Sequence, residues 1–143
     1  MKNKYFGKVT KLLKQARPRL ATTHQLSFKN VFGAIAGYVN GNIFITCGTF
    51  GVALRLPPKT LNYLFKNKDV KHLKYFSNGH IKKEYAVLPT RIIGDEFRLK
   101  KLVDKSIDYV LWITIVCSQV RFIYAFKNIN SGDKLWKRWL VNN

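Results

Sequence analysis

The chain has 143 residues, 47% of them hydrophobic and 14% aromatic, enough to bury a core and too apolar for a disordered segment. Its 26 Lys and Arg face only 7 Asp and Glu, a formal charge of +19. Such an excess repels itself on compaction and favours polyanionic partners, nucleic acid or an anionic membrane. Cys47 and Cys117 lie in apolar, strand-like surroundings and read as reduced core residues of a cytoplasmic protein, not as a disulfide framework. No apolar run follows the basic residues 1–14, so no secretory signal is expected.

Residues 3–17 are the first helix candidate. Tyr5, Phe6, Val9, Leu12, Leu13 and Ala16 recur at helical spacing, Lys4, Lys8, Lys11 and Lys14 form a basic stripe opposite them, and Pro18 ends the helix. The stripe is either a solvated face or an anion-binding one. After a polar joint at residues 21–25, strands begin at Leu26. Asn40-Gly41 sits between β-branched and aromatic runs, the pattern of a hairpin with a two-residue type I′ turn. Gly33 and Gly37 fall in its first arm, where a missing side chain marks a bulge or a close backbone approach. A turn at Cys47-Gly48-Thr49 leads into residues 50–56, where Phe50, Val52, Leu54 and Leu56 alternate with Gly51, Ala53 and Arg55. The three antiparallel strands make a meander.

Pro57-Pro58 stops the sheet and pre-sets a second helix, with Leu61, Leu64 and Phe65 on its apolar side, to about Lys68. Residues 73–76 form a short strand, Ser77-Asn78-Gly79 a turn, and residues 81–88 a further strand closed by Pro89. The helix after Gly94 carries Asp95 and Glu96 in its first turn, favourable at the positive end of the dipole. Leu99, Leu102, Val103, Ile107 and Val110 form its buried face, while Arg98, Lys101 and Lys105 interleave with Asp104 and Asp108 at ion-pair spacing. Residues 112–126 are β-branched and aromatic but interrupted by Ser118, Gln119 and Arg121, too short and polar for a clear membrane span. A strand, a continued helix or a partner-dependent segment all fit. Residues 133–140 could add a short basic helix with Leu135, Trp136, Trp139 and Leu140 apolar.

Catalytic chemistry finds little support, and a non-enzymatic role is expected. The few carboxylates sit beside lysines, as Asp69 does between Lys68 and Lys71, and no nucleophile elbow or phosphate-cradling loop is present. His24, His72 and His80 fall on expected loops without ligand spacing, so neither metal nor other cofactor is expected. Nucleic acid is the better partner on charge, although no helix-turn-helix, zinc-finger or RNP signature appears. Lys66, Lys68, Lys71 and Lys74 form one basic cluster and Lys82 and Lys83 a second, with Tyr75, Phe76 and Tyr85 nearby as stacking groups or, more simply, core residues. With the stripe Lys4/Lys8/Lys11/Lys14, these lysines are the candidate phosphate contacts.

Val31-Phe32-Gly33 followed by residues 37–44, GYVNGNIF, resembles the signature hairpin of the TfoX N-terminal domain family. Residues 50–57 (FGVALRLP), 73–79 (LKYFSNG) and 82–89 (KKEYAVLP) resemble its later blocks in order, and the helix from Asp95 its closing helix. The resemblance covers about residues 5–111. It implies a bacterial, cytoplasmic α+β domain with an antiparallel sheet of about five strands, ordered αβββαββα, over residues 1–111. Residues 112–143 then form a C-terminal extension outside the pattern. The resemblance further implies regulation of competence for DNA uptake, as a transcription coactivator beside a factor of the cyclic-AMP receptor type. It supplies no catalytic residues, and nothing here resembles the second, C-terminal domain of the full regulators. Two alternatives stand beside it: a protein-interaction module without DNA contact, and a peripheral binder of anionic membrane using Lys134, Lys137 and Arg138 with Trp136 and Trp139.

Overall fold

A computed structural model describes residues 3–129 of the chain. The chain divides into two compact units, Met1–Leu111 and Trp112–Asn143. The first is an α+β domain. Helices α1 (Phe6–Ala16) and α2 (Leu20–Thr23) precede strands β1 (Leu26–Val31), β2 (Ala34–Val39), β3 (Asn42–Gly48) and β4 (Gly51–Arg55). Then come α3 (Pro58–Leu64), β5 (Lys71–Leu73), β6 (Lys82–Leu88), α4 (Thr90–Ile93) and the long α5 (Glu96–Ile129). The sheet is antiparallel and six-stranded, in the order β1-β2-β3-β4-β6-β5. The expected order of elements holds in outline, with one more strand and two short helices.

The additional strand comes from a second tight turn. Phe32 and Gly33 both adopt positive φ, 51° and 82°, and split the expected first arm into β1 and β2. Asn40 and Gly41 turn β2 into β3 in the same way, with φ of 49° and 81°, the paired positive values a type I′ turn requires. Gly33 is therefore a turn residue and not a bulge. Gly37 does mark a close approach: a Cβ there would lie 2.6 Å from Ile45 Cγ2. Opposite it the register slips, with Ile45 facing Gly37 and Ile43 facing Tyr38, so that Phe44 is the extra residue of a bulge. The Ser106 hydroxyl of α5 donates to the Phe44 carbonyl at 2.9 Å, so the bulge also pins helix to sheet.

One face of the sheet carries the main core. Ile35, Val39, Phe44, Cys47, Val52, Leu54, Leu56, Ala86 and Leu88 meet Val9, Leu12 and Leu13 of α1, Leu61 and Leu64 of α3, and Leu99, Val103 and Ile107 of α5. The Arg17 guanidinium bonds Asp104 at 2.6 Å and ties the end of α1 to α5. Asp104 thus pairs across the core, not along its own helix as its spacing suggested. Asp69 likewise pairs with Arg91 of α4, not with its lysine neighbours. The expected strand at residues 73–76 lies earlier, at β5, and His72 belongs to it, stacked on Phe65 with ring centroids 4.1 Å apart. Residues 112–129 continue α5 as helix, and Cys117 is exposed there, not a core residue. Residues 133–140 lie outside the described residues.

Candidate nucleic-acid interface

Side chains alternate across a strand, so the residues between those facing the helices point to the opposite face. By that alternation Lys29 and Val31 of β1, Ala34, Ala36 and Tyr38 of β2, Arg55 of β4, and Lys83 and Tyr85 of β6 line the face that α1, α3 and α5 leave uncovered. A small second cluster forms on it from Ala53, Leu73, Tyr85 and Val87, with Phe50 and Tyr75 packed against them. Phe50 was expected to face the main core with Val52. It instead folds back from the β3–β4 turn, where the absent side chain of Gly48 leaves room: a Cβ there would lie 2.8 Å from the Phe50 ring.

The β1–β2 turn, the β3–β4 turn and the segment after β5 bring four rings together at one end of this face. Phe50 meets Tyr75 edge-on at 5.8 Å, Tyr75 meets Phe32 at 5.6 Å, and Phe32 meets Phe76 at 5.3 Å between centroids. Phe50 and Tyr75 are half-buried, whereas Phe32 is 69% and Phe76 57% exposed. Tyr85 is core, Tyr75 partly so, and Phe76 not at all. Phe32 stands apart for its backbone as well. A bulky residue at positive φ costs on the order of 1–3 kcal/mol, and a ring left mostly in water recovers little of that by burial.

Basic residues share this face and its edge with the rings. Lys29 Nζ sits 5.1 Å from the centre of the Tyr38 ring, and Arg55 reaches Glu84 at 2.9 Å. Burial pushes the Tyr85 phenol well above its ordinary pKa, so it stays neutral on this face at any physiological pH. Lys66 and Lys68 follow α3, Lys71 lies in β5, Lys74 directly precedes Tyr75, and Lys82 and Lys83 open β6. All six are exposed around the β5–β6 edge. Lys4, Lys8, Lys11 and Lys14 are exposed too, but α1 packs over β2 and β3, toward the other side of the sheet. The fold therefore separates the expected lysines into two surfaces. Among the described residues, every ion pair uses an arginine: Arg17–Asp104, Arg55–Glu84, Arg91–Asp69 and Arg98–Asp95. The arginines take up the scarce carboxylates, and these lysines keep their charge for solvent or a ligand.

Sequence reading missed Phe32, Phe50, Lys29 and Arg55. Gly33 carried the signal for the turn that displays Phe32, but phenylalanine is not a turn former and obscured it. A further basic and aromatic groove of about 440 Å³, lined by Tyr63, Arg91, Phe97, Lys101 and Lys105 among others, lies between α3 and the start of α5. Set against protein-family models, curated proteins and solved structures, the chain matches none.

Proposed function

We propose that this chain binds nucleic acid non-enzymatically and with little regard to sequence, through the uncovered sheet face and the β5–β6 edge. Lys29, Lys71, Lys74, Lys82 and Lys83 contact phosphates, and Phe32 and Phe76 offer their rings to unstacked bases. The observation that carries this reading is the pair of exposed rings in mutual contact, one held at a strained turn, on a sheet whose open face and β5–β6 edge carry lysines that pair with no carboxylate among the described residues. Positively charged surfaces with projecting aromatics bind single strands by stacking every base on its π-face, which makes them sequence-tolerant. The resemblance to TfoX N-terminal domains suggests the setting, a coactivator near promoters alongside a cyclic-AMP receptor-type factor. That role is a proposal on the resemblance alone.

Replacing Phe32 and Phe76 by Ala tests the reading. Single-strand affinity falls by about 1–3 kcal/mol per stacked base lost, whereas duplex affinity, set by phosphates, changes little. Equal loss on both, or none on either, contradicts it. Absence of any binding at low salt would leave the aromatic patch as a protein-docking surface.

A further inference from the structure

The second unit presents a different surface. Residues 112–126 read WITIVCSQVRFIYAF, 11 of the 15 apolar, and they fall within α5. Trp112 is 60%, Ile115 58% and Phe122 71% exposed. At about 100° per residue, Thr114, Ser118 and Arg121 cluster within about 60° of one another. Over residues 112–123 the rest of the circumference is apolar except for Gln119. A helix apolar on so many sides belongs in a large core or in lipid. Among the described residues, α5 contains the one span long and apolar enough to cross a membrane, Glu96–Ile123, and 17% of an 18-residue apolar window within it is buried. The start of that span is a core helix of the first unit, with Leu99, Val103, Ile107 and Val110 buried, but none of residues 112–123 is buried.

From this we infer that residues 112–126 insert into an anionic lipid bilayer and anchor the chain there. Charge selects lipid over a second copy of the chain. Arg91, Arg98, Lys100, Lys101 and Lys105 precede the segment, and Lys127, Lys134, Lys137 and Arg138 follow it. Two chains of +19 each repel on pairing, while an anionic surface attracts both flanks. Trp112 at the start of the segment suits the headgroup boundary. Fifteen residues of helix extend about 22 Å, against a hydrocarbon core of about 30 Å. Local thinning of that core and snorkelling of the flanking Lys and Arg let so short a segment set one flank at each headgroup layer. Arg121 is the costly member, and its long stem lets the guanidinium reach toward the boundary. An in-plane helix would need a broad polar face, which this narrow stripe does not supply.

The test is flotation of the whole chain with vesicles of phosphatidylcholine containing a minority of phosphatidylglycerol. The bound fraction is then washed with about 1 M salt, which screens charge beyond roughly 3 Å, and with alkaline carbonate. The chain is expected to stay with the vesicles through both washes, with its tryptophan emission quenched by brominated lipid. The double variant Ile115→Lys/Val116→Lys, in residues outside the core of the first unit, is expected to lose about a hundredfold or more in partitioning. Its domain should keep the parent's thermal transition. Release by salt alone, retention of the double variant, or a lipid-indifferent dimer in solution would each overturn the inference.

Discussion

Single residues set the sharpest stability tests. Phe44 is fully buried at the bulge where α5 meets the sheet, so Phe44→Ala is expected to lose about 3–5 kcal/mol in chemical denaturation. A loss under about 1 kcal/mol would mean that the register is wrong. Gly37 has no positive φ, but a Cβ there would lie 2.6 Å from Ile45 Cγ2, and Ile45 is itself fully buried. Gly37→Ala therefore overpacks the core and is expected to cost about 1–3 kcal/mol. Thr46 is fully buried and its hydroxyl has no hydrogen-bond partner. Thr46→Val removes a desolvated polar group at constant shape, so unfolding free energy should hold or rise; a clear loss would reveal a partner for that hydroxyl. Asp69 is held below the ordinary carboxylate range by its hydrogen bonds to Arg91. A depressed pKa contributes stability above the unfolded value of about 4 and loses it as pH falls through the folded one. Asp69→Asn should accordingly flatten the acid limb of a stability–pH profile and leave the neutral region nearly parallel to the parent. The burial of Val52 was legible from alternation, and that of Phe44 from the apolar run Ile43-Phe44-Ile45 after the turn. The partners of Asp69 and Asp104 were not, because both come from other elements and spacing along one helix or loop says nothing about them.

Among elements, turns decided what could be read. Asn40-Gly41 announces a type I′ hairpin through two residues that both tolerate positive φ, and it forms. Gly41→Val forces a β-branched residue to 81° and is expected to destabilise by about 1–3 kcal/mol. The β1–β2 turn hid behind Phe32, so one strand was read where two exist. Phe32→Asn tests whether that unusual choice serves binding. Asparagine tolerates the left-handed region, so the variant should gain stability and lose single-strand affinity together. A gain in stability with binding intact would detach the strained ring from function. Helix α5 was legible to its last core residue, Val110, because its apolar stripe repeats at helical spacing. Beyond it, apolar residues on nearly every side leave no periodicity to separate helix from strand, and only the structure resolves the segment as helix.

For the molecule as a whole, charge was legible from composition and its arrangement was not. The candidate lysines all reach solvent, yet the sheet order places the α1 stripe and the β5–β6 cluster on different surfaces. The aromatic cluster is assembled from three separated loops: Tyr75 and Phe76 were legible as possible stacking groups, but nothing local joined them to Phe32 and Phe50. The proposed contact face is tested most directly by a salt titration of the whole chain against unrelated single strands and duplexes. With four or more phosphates neutralised, duplex affinity should fall about a hundredfold between roughly 50 and 200 mM salt. Lys82→Ala/Lys83→Ala should flatten the log–log slope by about two units without changing preference among sequences. No binding at the lowest salt, or a sharp preference for one sequence, would contradict the account.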